Sequence, residues 1–375
     1  MIIGFDGSRA FESEATGTEN YSWQILKNLI TIDTENEYYV YVREGYKKPN
    51  FDFPPSVKIM PIKIPRLWTQ LGLATRTFND PLDVLFVPAH TLPLIRKPDL
   101  PTVMVVHDLG AEYLPAMHQI KQQLYLNFIT HHQLKTATHL IAVSEATKKD
   151  LIAKIKIPSS KISVVYEAFE EKKKNEAKID KTLCRFGLEN KPYFLFVGTI
   201  QPRKNLIRLI EAFSLFLIES QDKARDCKLV IAGKPGWDYK EILSLPEKLG
   251  IKQRVKFVGR VDDSELADLY KGAVALTYPS LFEGFGLPIL EAYVNGCPVI
   301  TSTTSSMPEV AGKGAILVDP TSVNAIMTAM NSLFHDKEQR KSLIKLGQEQ
   351  LTHFSWKKAA QETLEVLKKA AKERK

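Results

Sequence analysis

The chain has 375 residues, 44% of them hydrophobic and 25% charged, which excludes a disordered, collagenous or coiled-coil protein. Its length predicts two domains. The net charge of +8 suggests a nucleic-acid or membrane partner, but half of the excess lies in residues 356–375, which hold seven basic and three acidic residues. The two long stretches before that segment, 1–168 and 192–355, are nearly neutral and lack a patch of basic and aromatic residues. We therefore predict no nucleic-acid binding.

The cysteines and the start of the chain indicate a compartment. Cys184, Cys227 and Cys297 lie far apart, so they predict neither a disulfide framework nor a paired-cysteine zinc site. No signal-peptide pattern follows Met1, and no run approaches the roughly 18 apolar residues of a spanning helix. We therefore expect a cytoplasmic protein, with peripheral contact at the inner face of the membrane as an open question.

Residues 1–168 alternate short apolar runs with helical patterns. The predicted strands are Ile2–Asp6, Tyr38–Arg43, Val57–Ile62, Val84–Val87, Thr102–His107, Leu140–Ser144 and Ile162–Tyr166. The predicted helices are Thr18–Ile32, His118–Thr136 and Ser144–Lys156. Several strands are apolar throughout, as expected where both faces of a sheet are covered. The pattern predicts an α/β domain with a mostly parallel sheet.

A charged stretch separates this block from a second one of the same kind. Residues 169–191 contain the charge run at 170–176 and are predicted to be a solvated linker. Alternation restarts over residues 192–354, with strands predicted at Tyr193–Gly198, Lys228–Gly233, Val255–Val258, Ala273–Tyr278, Pro298–Thr301 and Ala315–Val318. Helices are predicted at Leu206–Ile218, Ser264–Lys271 and Leu287–Asn295, among others.

The final segment, Ser355–Lys375, has apolar residues at helical spacing and basic residues between them. Two interpretations remain open for this predicted helix. It packs its apolar stripe on a domain surface, or it binds an anionic membrane surface as basic amphipathic helices do.

Ligands in open α/β sheets bind beyond the carboxyl ends of the strands. After the strand ending at Gly198, Arg203 and Lys204 bring two cations to the start of a helix, where backbone amides also favour an anion. Gly198 allows a close approach of the backbone. The pattern favours a phosphate site, although adjacent basic residues are more ordinarily solvated.

A second candidate loop follows the strand ending at Tyr278. Two carboxylates, Glu283 and Glu291, lie on either side of the start of a helix, and sugar hydroxyls are natural partners for them. For Glu291 alone, stabilisation by the helix dipole is an alternative. The backbone amides of the intervening loop form a candidate anion nest; these residues are Gly284, Phe285, Gly286 and Leu287.

Two further candidates lie in the first block. His107, at the carboxyl end of a strand and followed by Asp108, faces a cleft if the two domains oppose each other; a buried, satisfied histidine is the alternative. Gly17 precedes a helix and suits a phosphate. No G-x-G-x-x-G follows a strand and no G-x-x-x-x-G-K-[ST] occurs, which excludes common dehydrogenase and kinase-type sites. No Asp-x-Asp pair or Cys/His cluster offers a metal site.

Together these residues resemble the retaining glycosyltransferases of family 4, which have the GT-B fold of two Rossmann-like α/β/α domains facing each other across a cleft. The motif that carries the resemblance is Glu283-Gly284-Phe285-Gly286-Leu287-Pro288-Ile289-Leu290-Glu291. Further matches are Val197–Thr199 with Pro202–Asn205, Phe257–Gly259 with Leu269–Tyr270, Gly296–Ile300, Pro308–Gly312, His107–Asp108 and Val143–Glu145.

The resemblance implies roles for the candidates. Arg203 and Lys204 bind the donor diphosphate with amides near Gly286 and Leu287, Glu283 contacts the donor sugar, and Glu291 binds the ribose. The base rests near Arg260 and Val261. His107 lies near the donor sugar and the transition state, and Asp108 and Ser144 lie on the acceptor side. The C-terminal helix (355–375) packs back on the first domain. Many relatives have a Gly-Gly pair where this chain has only Gly17, which weakens that site.

The implied activity is that of a hexosyltransferase using a nucleotide-diphosphate sugar, with GDP-mannose as the first guess. The implied acceptor is a glycan or lipid-linked saccharide in surface polysaccharide or glycolipid synthesis, and neither a metal nor a cofactor is expected. The alternatives are a GT-B sugar-phosphate synthase or phosphorylase, and a non-catalytic nucleotide-sugar-binding protein.

Overall fold

The computed structural model describes residues 1–12, 17–64, 66–89, 91–109, 130–169 and 179–373. The chain forms two compact units. The first comprises Met1–Ala168 and Phe354–Lys375, and the second comprises Phe169–His353. Each unit contains one parallel sheet with helices, so the predicted α/β class is confirmed.

Every predicted strand is present, with ends that differ from the prediction by no more than two residues. The first unit contains β1 (Ile2–Asp6), β2 (Glu37–Arg43), β3 (Val57–Ile62), β4 (Val84–Val87), β5 (Thr102–Val106), β6 (His139–Ala142) and β7 (Ile162–Val164). The second contains β8 (Tyr193–Val197), β9 (Lys228–Ala232), β10 (Val255–Gly259), β11 (Ala275–Tyr278), β12 (Val299–Ser302) and β13 (Ala315–Val318).

The helices of the described residues fill the intervals between the strands. They are α1 (Gly17–Ile32), α2 (Ala74–Asn79), α3 (130–136), α4 (Glu145–Asp150), α5 (Ile179–Arg185), α6 (Leu206–Ser220), α7 (Lys240–Lys248), α8 (Asp263–Gly272), α9 (Leu287–Val294), α10 (Met307–Ala311), α11 (Val323–His335), α12 (Lys337–Leu351) and α13 (Trp356–Lys372). The predicted helix at 118–136 lies mostly outside the described residues. The one predicted at 144–156 is α4 continued by a π-helical turn, Leu151–Ile155.

Both sheets have the strand order of a doubly wound fold. The first sheet runs β3-β2-β1-β4-β5-β6-β7, and the second runs β10-β9-β8-β11-β12-β13. All neighbouring strands are parallel. The order reverses between β1 and β4 and again between β8 and β11. Loops diverge at such switch points and leave a crevice at the carboxyl ends of the strands, which is where ligands bind in this architecture.

The central strands and the faces that cover them form the cores. Every residue of β4, β5, β6, β11 and β12 is buried, which explains why the sequences of these strands do not alternate between apolar and polar residues. In the second unit, Phe194 of β8 packs edge-on against Phe216 of α6, with ring centroids 5.3 Å apart. Such pairs add directional packing to ordinary apolar burial.

Part of the predicted linker is helical. Within residues 169–191, α5 packs on α8 of the second unit, where the Thr182 hydroxyl donates to the Asp268 carboxylate over 2.8 Å. Residues 179–191 therefore fold with the second unit, because charged residues there are spaced around apolar ones. The charge run at 170–176 lies outside the described residues.

The C-terminal helix packs on the first unit. Ser355 caps α13 by accepting a hydrogen bond from the Lys358 amide. The helix lies against α1 and against β4 to β6, and Trp356, Ala360 and Leu367 are buried there. The apolar stripe of this helix is therefore covered by protein, as the packing interpretation of the sequence expects, and its lysines remain on the exposed face.

Candidate functional site

A short turn after β8 holds Arg203 and Lys204. Residues Pro202–Lys204 form a 3₁₀ turn, and Asn205 follows it in the left-handed conformation with φ 60°. The side-chain amide of Asn205 donates to the carbonyl oxygens of Pro279 (2.9 Å) and Pro320 (2.6 Å). Asparagine tolerates this backbone conformation better than most residues. Asn205 thus adopts the conformation that ends the turn, and its side chain anchors the turn to two other loops.

Two glycines make room for this turn. Gly233, at the end of β9, has φ +155°, and a Cβ there would lie 1.9 Å from the Gly198 carbonyl oxygen. Gly198 has φ +144°, and its missing side chain faces the Lys204 side chain, whose Cε would be 3.6 Å from a Cβ. Substitution at either position would strain the backbone that carries Lys204.

Hydroxyl groups fasten the loop between β11 and α9. The Ser302 hydroxyl donates to the Ser280 carbonyl (2.5 Å), and the Ser306 hydroxyl donates to the carbonyls of Glu283 (3.0 Å) and Phe285 (2.6 Å). These serines belong to an unbroken run of hydroxyl residues at 301–306. Buried carbonyls in a loop need such donors, so this run holds the loop in its shape.

The two loops bring Arg203, Lys204 and Glu283 together with Tyr278. Lys204 Nζ lies 2.6 Å from Glu283 Oε1, and Arg203 donates to Glu283 Oε2 over 2.7 Å. Lys204 also donates to the Tyr278 hydroxyl (2.7 Å), which in turn donates to Glu283 Oε1 (2.8 Å). Because the loops follow β8 and β11, this charge cluster lies at the switch point of the second sheet.

The cluster is buried and strongly polarised. Lys204 is 7% exposed and Glu283 is 6% exposed. Burial by itself would raise the pKa of Glu283, but the charges of Lys204 and Arg203 and the bonds they make lower it to about 2. Burial and the Glu283 charge both raise the pKa of Tyr278. At neutral pH the cluster thus contains two cations, one carboxylate and a neutral phenol, with a net charge of +1.

The other predicted residues of the second unit lie around this cluster or at neighbouring strand ends. Gly286, with φ +110°, immediately precedes α9, and Gly284 and Phe285 are buried in the same loop. Glu291 is half-buried within α9 and accepts a hydrogen bond from the Tyr270 hydroxyl over 2.8 Å. The roles implied for these residues in donor binding stay predictions, as do those of Leu287 beside Gly286 and of Arg260 and Val261, which directly follow β10.

In the first unit, His107 directly follows β5 and both of its ring nitrogens have partners. Nδ1 lies 2.9 Å from Glu167 Oε1, and Nε2 lies 2.9 Å from the Pro88 carbonyl oxygen. A carboxylate and a carbonyl both accept hydrogen bonds, so this geometry favours a ring that donates from both nitrogens. Burial lowers the pKa of His107, but Glu167 and the other acceptors outweigh it and the pKa is raised.

These bonds agree with the alternative of a satisfied buried histidine, so the role of His107 at a reaction centre stays a prediction. Asp108 is half-buried beside it. The Ser144 hydroxyl caps α4 by accepting from the Thr147 amide (3.0 Å), which gives this residue a structural task. Gly17 begins α1, and a Cβ there would contact nothing within 4 Å.

Tyr278 and Glu167 are missing from the sequence-based site. Each lies at the carboxyl end of a predicted strand: Tyr278 is the last residue of one, and Glu167 directly follows the strand predicted at Ile162–Tyr166. Inspecting the end of every strand, rather than only those followed by glycine or paired charges, identifies both.

Replacing Glu167 with glutamine is expected to lower the pKa of His107, because the amide leaves the ring buried without a neighbouring countercharge. The native pair stabilises the fold fully below pH about 6.5, the ordinary histidine value, and this contribution is lost as the pH rises through the elevated folded pKa. At about pH 6 the variant should lose about 2 kcal/mol of stability. NMR titration of the His107 ring measures the change in its pKa. Asp108→Asn is the control and should change this pKa less. Equal titration of the wild type and Glu167→Gln would contradict the prediction.

Among the described residues, no group of three or more histidine, cysteine, aspartate or glutamate side chains is arranged to hold a metal ion. Within the same ranges, no helix is sufficiently long and apolar to cross a membrane. The three cysteines are free.

Comparison with known proteins yields consistent matches over both units. The family model described as Glycosyltransferase Family 4 matches residues 17–172, and the one described as Glycosyl transferases group 1 matches residues 182–350. O-antigen chain mannosyltransferase B of Escherichia coli is 30% identical over 268 residues, which cover 71% of this chain and 70% of that protein.

Solved structures share the fold over nearly the whole chain. Sucrose-phosphate synthase from Thermosynechococcus elongatus has a TM-score of 0.75 at 18% identity, with 98% of both chains covered. Anabaena HepE in complex with UDP-glucose has a TM-score of 0.72 at 18% identity, with 98% of this chain and 99% of HepE covered. The TM-scores establish a common two-domain fold. At identities this low, the substrates have to be argued from the site.

Proposed function

The chain belongs to glycosyltransferase family 4 and has the two-domain GT-B fold, and we propose that it moves a sugar with retention of configuration from a nucleotide-diphosphate sugar to a saccharide acceptor. GDP-mannose is the proposed donor. The proposed acceptor is a glycan or lipid-linked saccharide of a surface polysaccharide. This class is suggested by the name of the relative, an O-antigen chain mannosyltransferase.

The observation that carries the proposal is the pair of cations held at the switch point of the second sheet. Breaking the glycosyl bond leaves negative charge on a diphosphate, and fixed cations in a buried site stabilise that charge without reorganising. Lys204 and Arg203 are such cations, each within 2.7 Å of a Glu283 oxygen. The start of α9, preceded by Gly286, adds backbone amides that favour the same anion.

Glu283 serves this reaction better as an oriented carboxylate than as a proton donor. Because its pKa is about 2, it remains ionised at neutral pH and accepts hydrogen bonds from sugar hydroxyls. Both of its oxygens also contact cations, which weakens it as a nucleophile. We therefore favour same-face transfer: the donor bond between C1 and the phosphate oxygen breaks, the acceptor oxygen bonds to C1, and its proton passes to the departing phosphate.

A thermal-shift screen of nucleotide sugars tests donor binding. Ligand at about 100 times its Kd stabilises the folded protein by about 2.7 kcal/mol, so the preferred donor should raise the Tm by several degrees. We expect GDP-mannose to produce the largest shift in the wild type. The shift should disappear in Lys204→Ala and persist in Lys341→Ala, whose lysine is exposed and pairs with Glu338 on the surface of α12.

The screen is followed by a turnover assay that separates the alternatives. A glycosyltransferase releases GDP in proportion to a saccharide acceptor. Release dependent on inorganic phosphate or a simple sugar phosphate identifies a phosphorylase or synthase instead, and binding without turnover identifies a non-catalytic binder. A large shift with a uridine or adenine nucleotide sugar and none with GDP-mannose would refute the proposed donor.

A further inference from the structure

Large apolar side chains are exposed on one part of the first unit. They are contributed by the turn before α2, by α2 itself and by the segment after β4. Ile95 is 74% exposed and Leu67 is 64% exposed. We define the apolar surface as the side chains of Leu67, Leu71, Phe78, Leu94 and Ile95. Single exposed apolar residues are ordinary, but a contiguous group marks an interaction site.

Hydrogen bonds place the two segments that carry these residues side by side. The π-helical turn Trp68–Leu73 continues directly into α2, and residues 92–97 lie beside both. The Gln70 side chain donates to the Leu92 carbonyl (3.2 Å) and accepts from the Leu94 amide (2.8 Å). Farther along, the Lys97 amide donates to the Thr77 hydroxyl over 3.0 Å. The two segments are thus joined near both ends.

Basic residues predominate in the segments that carry the apolar surface. Residues 63–79 and 91–97 contain no acidic residue, and their five basic residues are Lys63, Arg66, Arg76, Arg96 and Lys97. Two acidic residues lie at the border: Asp80 is 3.8 Å from Arg76, and Glu44 is 4.0 Å from Lys63. Aliphatic and phenylalanine side chains bordered by an excess of basic residues are typical of proteins that bind the lipid–water interface.

We propose that the apolar surface docks the first unit on an anionic lipid bilayer. Its leucine, isoleucine and phenylalanine side chains enter the boundary between headgroups and acyl chains. Lys63, Arg66 and Lys97 beside it extend along this boundary and contact lipid phosphates. An obligate protein partner is less suited to the surface, because protein interfaces are depleted of lysine and Lys63 and Lys97 belong to these segments.

This assignment differs from the one suggested by the basic C-terminal segment. The apolar stripe of α13 is covered by α1 and by strands of the first sheet, so this helix contributes charge but no apolar area to a membrane. Apolar burial is the larger contribution for an interfacial site, since each added charge at an anionic surface is worth only about 1 kcal/mol. The apolar surface has both components.

Co-sedimentation of the full chain with vesicles tests the proposal. Vesicles of phosphatidylglycerol and phosphatidylethanolamine should bind the wild type, and vesicles of phosphatidylcholine should bind it weakly. The double variant Leu71→Glu with Ile95→Glu should reduce the affinity for vesicles about tenfold or more, because two apolar side chains that enter the bilayer are replaced by charged ones. Ile218→Glu is the matched control, since Ile218 is 68% exposed in the second unit and should bind like the wild type.

A tail variant distinguishes the two candidate regions. Lys369→Gln with Lys372→Gln should keep near-wild-type affinity. If the tail variant loses binding and the Leu71/Ile95 variant retains it, the apolar surface is not the membrane site. Equal loss in Ile218→Glu, or conversion of a wild-type dimer to a monomer by Leu71→Glu, would equally overturn the assignment. If the glutamate pair lowers the Tm, glutamine at both positions provides the same comparison without new charges. None of these readouts depends on transfer activity.

Discussion

Replacing Lys204 with alanine is expected to reduce sugar transfer by about 10²–10³-fold and to destabilise the second unit by about 3 kcal/mol. The lost activity follows from removing a cation at the position where diphosphate charge develops. The lost stability follows from the structure: Lys204 is buried and lies 2.6 Å from the Glu283 carboxylate, which would keep only Arg203 as a cationic partner. The sequence by itself predicts the loss of activity with an intact fold.

Separating these two effects requires a variant that removes the charges in balance. Lys204→Met keeps the volume of the side chain, and combining it with Glu283→Gln removes one cation and one anion together. The double variant should recover much of the stability lost in Lys204→Met, because neutral replacement of a buried pair is often tolerated. Its transfer activity should remain at background. Turnover of any of these variants at the wild-type rate would show that Lys204 is not part of the reaction.

Replacing Glu283 with glutamine is expected to reduce transfer by about 10²-fold while nucleoside diphosphate binding persists or strengthens. Glutamine retains the size of the side chain and accepts a hydrogen bond, but Lys204 and Arg203 then lack a countercharge. They remain available to a diphosphate, which restores the balance. Calorimetry with GDP and an acceptor-dependent assay measure the two quantities. Loss of GDP binding together with transfer, in a variant that remains folded, would contradict this division of roles.

The same variant should change the acid stability of the protein. The folded-state pKa of Glu283 is lowered to about 2 from an ordinary value of 4.5. Its ionised form therefore stabilises the fold above pH about 4.5, and that contribution is lost as the pH falls toward 2. Over this range, the free energy of unfolding of the wild type should fall more steeply than that of Glu283→Gln. Parallel curves would show that the carboxylate gains nothing from its cations in the folded state.

The parts of the fold that depend on local pattern follow from the sequence. Buried strands such as β4 and β5 are nearly continuous apolar runs, and their bounds are predictable to within a residue because a proline or a polar residue stands directly outside each end. The helix after Ser355 was predictable for a similar reason, since its capping residue and apolar stripe are local. Along the predicted linker, by contrast, the high density of charge obscured the helical pattern of α5. This short helix is stabilised through contact with α8.

The site shows the same division. Arg203, Lys204 and Glu283 were identifiable because each lies in a loop that directly follows a predicted strand. The direct contact between Arg203 and Glu283 was not identifiable, since residues 80 positions apart in the chain meet only when β8 and β11 become neighbours in the sheet. Tyr278 and Glu167 acquire significance through the partners that folding provides, Lys204 and His107 respectively.

The amino-acid sequence alone determined the α/β class, the two-unit organisation, the family and the candidate residues, because periodicity and motifs are local properties of the chain. Only the tertiary structure decided which charges pair, which histidine nitrogens are bonded and which apolar residues remain exposed. The sequence directed attention to the C-terminal helix as a membrane contact, whereas folding covers its stripe and exposes Leu71 and Ile95 instead. Burial and ionisation depend on neighbours distant in the chain, so they are properties of the packed molecule.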